Sequence, residues 1–95
     1  MQGRFITLTV EFYKAIDECY AILQSGVSDK KKPRKLARCL NVANQARNVI
    51  WDEHKSGLWG EMAHKMEYFL CDIAGKLRDL KLENEVKSRS KKFKV

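Results

Sequence analysis

Two Ser-Gly pairs, Ser25-Gly26 and Ser56-Gly57, cut the 95-residue chain into three segments, and in each the apolar residues recur at steps of three and four. That spacing follows the 3.6-residue period of an α-helix with one face turned to a common core. Glycine enters left-handed backbone without a steric penalty, so a Ser-Gly pair ends a helix well. The pattern predicts an all-α fold: a small up-down-up three-helix bundle with a long C-terminal helix and a basic tail. A chain this short supports one core, because a second would bury too little surface to hold itself together. The expected organisation is a helical bundle over residues 1–86 and a basic tail over 87–95.

In the first segment Phe5, Leu8, Phe12, Ala15, Cys19 and Ile22 form the stripe, widened by Ile16 and Leu23. The opening is ambiguous, since Ile6, Leu8, Val10 and Phe12 also alternate like a strand and Thr7 and Thr9 suit one. A lone strand would have no partner elsewhere, so a helix over about 7–24 is expected, with residues 1–6 as an arm or a first turn. In the second segment Ser28 or Asp29 is placed to cap a helix and Pro33 to sit in its first turn. Leu36, Leu40, Ala43 and Ile50 make its stripe, flanked by Cys39, Ala46 and Trp51, and its end is expected near Lys55. In the third, Trp59, Met62, Met66, Phe69, Ile73, Leu77 and Leu80 line one face, while Lys65, Glu67, Asp72, Arg78 and Asp79 look to water. Running to about Lys87, this helix would approach roughly 40 Å, longer than the other two, so its end should project.

Charge is segregated. The formal net charge is +7, but Lys30, Lys31, Lys32, Arg34, Lys35 and Arg38 place six cations in nine positions. Lys87, Arg89, Lys91, Lys92 and Lys94 add five more, leaving eight basic groups against twelve acidic ones elsewhere, a net −4. Clustered charge of one sign produces a local field that favours an anionic partner. Cations at a helix start also oppose its macrodipole, and an anion held there would relieve that conflict. The plainer account of this block is a solvated loop. Beyond it, Arg34, Arg38, Asn41, Gln45 and Asn48 share the face opposite the stripe, and amides both donate and accept, as contacts to sugars, bases or phosphates require. The same face also reads as an ordinary wet helix surface. The tail has too little apolar content to fold alone, though Phe93 and Val95 could add contacts to a partner.

Arg47 breaks the apolar stripe of the second segment, lying within about 20° of Leu36. A guanidinium cannot be buried unpaired, so a carboxylate from Asp17, Glu18 or Glu67 is expected beside it; contact with water, a ligand or another subunit are the alternatives. A buried pair of that kind would cost about 3–5 kcal/mol to break.

Catalytic signatures are weak. Glu61 and His64 form a single Glu-x-x-His step, whereas carboxylate-bridged dimetal bundles use two, and both residues point away from the stripe. Cys19, Cys39 and Cys71 lack metal-ligand spacing, and no Gly-rich phosphate loop or nucleophile motif is present. A cysteine with His54 or His64 is the one nucleophilic arrangement left open, although Cys19 and Cys39 lie in or beside apolar stripes. Three unpaired cysteines, no signal-peptide pattern and no apolar run near the roughly 18 residues of a membrane span point to reduced thiols in the cytoplasm.

The expected function is non-enzymatic: an accessory protein binding the phosphate backbone of RNA or DNA, without cofactor or metal, within a nucleoprotein complex. Its site residues would be Lys30, Lys31, Lys32, Arg34, Lys35, Arg38, Asn41, Gln45, Lys87, Arg89, Lys91 and Lys92. The alternative is a protein–protein module, an assembly subunit or inhibitor, docking its basic patch on an acidic protein surface. Tyr20, Val42, Val49, Tyr68 and Leu82 lie off the main stripes, so a homo-oligomer is expected in either case.

Overall fold

Helix formation overrides the strand-like alternation at the start of the chain. In the computed structural model, which describes residues 2–25, 30–53 and 57–93 (side chains over 3–25, 30–53 and 57–86), α1 spans Gln2–Gln24. Thr7 Oγ1 donates to the Gly3 carbonyl at 2.9 Å and Thr9 Oγ1 to the Phe5 carbonyl at 2.8 Å. These back-bonds fix the rotamers of two β-branched residues in a form a helix accommodates. The alternation breaks accordingly: Phe12 is buried, while Ile6 and Val10 are exposed.

Two further helices follow, α2 over Lys32–Glu53 and α3 over Gly57–Phe93. The arrangement is an up-down-up bundle. Arg4 of α1 meets Glu53 of α2 at 3.2 Å, and Cys39 Sγ of α2 donates to Glu18 Oε2 of α1 at 3.7 Å, so these helices are antiparallel. Trp51 packs edge-on against His64 and Arg47 reaches Glu67, which makes α2 antiparallel to α3 as well. α2 is the middle element: its backbone lies close to both neighbours, whereas α1 and α3 approach each other mainly through side chains. Among the described residues those contacts include Phe5 with Trp59, Tyr13 with Phe69, and Tyr20 with Asp72.

The core is built from Phe12, Ile16 and Cys19 of α1, Leu36 and Ile50 of α2, and Met66 and Ile73 of α3. Between them Ala15, Ala43, Ala46 and Ala63 are buried, and such small side chains let helix axes approach closely. The expected stripes of α1 and α2 are largely those that pack. On α3 the buried line runs through Ala63, Met66, Leu70 and Ile73, and Phe69 is left substantially exposed. The reason is that α3 turns toward α2, placing Phe69 at the edge of the α1 side against Tyr13.

α3 is also longer than its periodicity suggests. It opens at Gly57, whose φ of 78° is left-handed, and runs past Lys87 to Phe93. At 1.5 Å per residue that is about 55 Å, and it accounts for the long dimension of a molecule measuring 62 × 21 × 15 Å. The extension holds no proline or glycine, continues a helix already nucleated, and puts Lys91 and Lys92 at the favourable C-terminal end of the dipole. Leu23 of α1 shares a hollow with Leu80 and Glu83, so α3 outruns the bundle from about there. The expected caps Gly26, Ser28 and Asp29, the expected helix end at Lys55, and Ser56 lie outside the described residues.

Arg47 is held as a structural cation. Its Nη2 lies 3.5 Å from Glu67 Oε2, its Nε donates to the Ala63 carbonyl at 3.4 Å, and its Nη1 donates to Asn48 Oδ1 at 3.4 Å. The guanidinium carbon sits 5.3 Å from the Trp51 ring centroid. The Arg47 side chain is 13% exposed but that of Glu67 is 53% exposed, so losing the arginine leaves a carboxylate that water can solvate. Arg47→Ala is therefore expected to cost about 1–2 kcal/mol rather than the penalty of a fully buried pair, lowering Tm by roughly 5–15 °C. Thermal denaturation followed by circular dichroism checks this, and Glu67→Gln should fall short of Arg47→Ala.

The three thiols differ in reach. Cys19 is buried, Cys39 partly buried beside Glu18, and Cys71 exposed. Burial pushes the Cys19 thiol up to about 12, and burial next to the Glu18 carboxylate raises Cys39 as well. Since the thiolate is the reactive form, timed alkylation of the folded chain should modify Cys71 first, and Cys19 only once denaturant is added. Peptide mass mapping reads the order.

Candidate nucleic-acid interface

The first turn of α2 contains Lys32, Pro33, Arg34 and Lys35 and no acidic residue. The Lys35 N–H donates to the Lys31 carbonyl at 3.1 Å, which sets the start of the helix. Proline fits there because it lacks an N–H that the first turn would leave unbonded. Lys30, Lys31, Arg34, Lys35 and Arg38 are exposed and Lys32 is half-buried. Arg34, Arg38, Asn41 and Gln45 continue as one exposed stripe along α2, followed by Asn48. Among the described residues no carboxylate pairs with Lys31, Lys32, Arg34, Lys35 or Arg38.

The conflict with the helix dipole is milder than the sequence implies. Antiparallel packing puts the last turn of α1 beside the first turn of α2, and that last turn has no basic residue of its own. The carbonyls there carry the negative end of the α1 dipole, so they offset part of the repulsion felt by the lysines.

Topology joins what the sequence separates. Because α2 and α3 run antiparallel, the start of α2 and the far end of α3 lie at the same end of the molecule. Lys87, Arg89, Lys91 and Lys92 belong to the overhanging helix by backbone, with side chains outside the described residues. The same register sets Leu40 beside Leu70 and Ala74, and so brings Arg78 and Lys81 alongside the first turns of α2. Both are exposed. Sequence reading set Arg78 among the water-facing residues of the third segment but assigned neither it nor Lys81 to the site, because acidic neighbours on α3 hide them; their place beside α2 is visible only once the helices are paired. At the opposite end, residues 3–13, 42–53 and 57–71 carry three basic groups against five acidic ones. The molecule is electrically polar along its length.

At the basic end Tyr20 Oη donates to Asp72 Oδ2 at 2.7 Å, and Lys76 Nζ lies 3.0 Å from Asp72 Oδ1. This ties α1 to α3 just below the overhang. Elsewhere an open hollow of about 540 Å³ is lined by His64, Glu67, Tyr68 and Cys71. His64 and Cys71 are separated by two helical turns, roughly 10 Å, so they do not form a nucleophile–base pair. Glu61 and His64 are exposed, and among the described residues no three His, Cys, Asp or Glu side chains converge to hold a metal. His54 lies outside the described residues. Among the described residues no helix is long and apolar enough to cross a membrane. Comparison with family models, curated proteins and solved structures finds no match for this chain.

The hydrogen bond from Tyr20 to the Asp72 carboxylate holds the phenol up to about 12, and that bond together with Lys76 holds the Asp72 carboxyl below its usual range. A raised phenol stabilises the fold below pH 10 and loses that effect as pH rises toward 12; a lowered carboxyl stabilises above about pH 4 and loses its effect below. The Tm difference between the native chain and Tyr20→Phe should thus be flat from about pH 5 to 9 and narrow on both sides. In absorbance titration at 295 nm, Asp72→Asn should bring the Tyr20 phenolate signal to lower pH.

Proposed function

We propose that this chain is a non-enzymatic binder of the nucleic-acid phosphate backbone, using the basic start of α2, the face continuing through Asn41 and Gln45, and the cationic overhang of α3. The observation that carries it is the convergence of two basic segments, far apart in sequence, on one end of a molecule whose other end is mildly acidic. A solubilising charge has no need to be gathered in this way. Gathered charge raises the local potential and releases counterions on binding a polyanion. Arginine suits phosphate through its paired N–H donors, lysine as a point charge, and amides through sugar and base edges. The accessory role in a nucleoprotein assembly belongs to the same reading.

If six side chains of the block neutralise about five phosphates, log K against log salt should fall with a slope of about −4 to −5 on duplex DNA and −3 to −4 on single strands. Charge reversal at Lys31, Arg34 and Arg38 should flatten the slope by nearly three on duplex, with the circular dichroism spectrum unchanged. All three are exposed, so the fold has no stake in them. A folded triple variant with the native slope would remove the site from α2. A chain that ignores nucleic acid at low salt yet binds an acidic protein would replace the reading with docking on a protein surface.

A further inference from the structure

Opposite the basic end, the edge where α1 and α3 meet is apolar and open. On α1, Ile6, Val10 and Tyr13 are 56%, 59% and 38% exposed; on α3, Leu58 and Phe69 are 69% and 37% exposed, with Met62 half-buried between them. The α1 residues fall at i, i+4 and i+7 and the α3 residues at i, i+4 and i+11, so each set is a single helical stripe. The helices do not close over each other here: a hollow of about 180 Å³ lies between Ile6 and Val10 on one side and Trp59 and Met62 on the other. Together the exposed parts of these side chains amount to roughly 500 Å² of apolar surface, in the range of the largest apolar patch on a typical monomer, which is often functional.

We propose that this face is a self-association surface, and that its occupant is the same face of a second copy of this chain, inverted about a two-fold axis. Three observations select that partner. The first is charge. Two copies cannot approach through their cationic ends, and this patch lies at the other end, so an inverted pair keeps the basic ends apart while burying the apolar stripes. The second is the set of charges on and around the patch: exposed Lys65 falls on the α3 stripe between Met62 and Phe69, exposed Asp17 continues the α1 stripe after Tyr13, and exposed Lys14 and Glu61 flank them. Two of each sign make the set complementary to itself when inverted, as an isologous contact requires, whereas a strongly acidic or basic partner would meet like charges. The third is area. Pairing two such patches removes roughly 1,000 Å² of apolar surface before the rim is counted, which reaches the size of a specific interface. The pair presents two basic ends pointing in opposite directions, and its formation does not depend on nucleic acid.

Sedimentation equilibrium on the full chain, free of nucleic acid and run from low to high micromolar, should give twice the 11.1 kDa chain mass. Ile6→Asp together with Val10→Asp should raise the dissociation constant at least a hundredfold while the helical signal stays native, because both side chains already face solvent in the monomer. Tyr68→Asp with Leu82→Asp, on the outer side of α3, should leave the dimer intact. A second measurement does not depend on tolerance of charge: with Cys71→Ser to remove the exposed thiol, Val10→Cys should be cross-linked to a dimer by a short bismaleimide and Leu82→Cys should not. A monomeric native chain across the whole range overturns the proposal, as does a dimer that survives the α1 substitutions or is lost with the Tyr68 and Leu82 pair. Nucleic-acid binding by the monomeric variant is read separately, so either proposal can fail without the other.

Discussion

The close packing of α2 between its two neighbours fixes the position of everything else in the molecule. Its buried alanines, Ala43 and Ala46, share one core with Ala15 of α1 and Ala63 of α3, and such small side chains let helix axes come together, with Leu36 and Ile50 buried in the same core. Arg47 interrupts that apolar line and thereby sets the register. A slip of one turn, about 5.4 Å, would carry a largely buried guanidinium away from Glu67, the Ala63 carbonyl and the Trp51 ring together. Apolar side chains tolerate sliding; a half-buried guanidinium with three partners does not. The register so fixed is what brings the start of α2 to the overhanging end of α3.

Much of this was legible from residue spacing. The stripes through Phe12 and Cys19, and through Leu36, Ala43 and Ile50, are statements about period, and burial follows them. Arg47 was recognisable as a residue needing a carboxylate, and Glu67 was among three candidates; the choice among them depends on which helix lies beside α2 at that height, which no single-helix pattern encodes. Phe69 went the other way. On a wheel it belongs with Met66 and Ile73, but the rotation of α3 is decided by the close fit of Ala63 and Leu70 against α2, and a large ring at the stripe edge yields. The length of α3 was underestimated because a run of like charge reads as a stop. A preformed helix extends with little nucleation cost, and cations are favourable at its C-terminal end.

For the basic surface, the sequence displayed the ingredients and concealed the assembly. Two charged segments separated by half the chain carry no mark of adjacency. Arg78 and Lys81 are hidden further by Asp79 and Glu83 beside them. Their arrangement becomes meaningful only through antiparallel pairing, which also sets the negative end of α1 against the crowded lysines of α2. The packing that creates the field thus moderates its cost to the fold.

The uneven sharing of contacts, rich on both sides of α2 and sparse between α1 and α3, bears on the order in which the chain can assemble. Each helical hairpin closes over a short connection, so its loop entropy is small and its formation belongs to the fast range of local events. Either hairpin, once formed, offers the remaining helix a surface already in register. The contacts linking Phe5 to Trp59 and Tyr20 to Asp72 join residues about fifty positions apart, and they need not exist before both hairpins do. A bundle organised in this way allows either hairpin to form first, with the long-range edge between α1 and α3 as the step both orders share at the end.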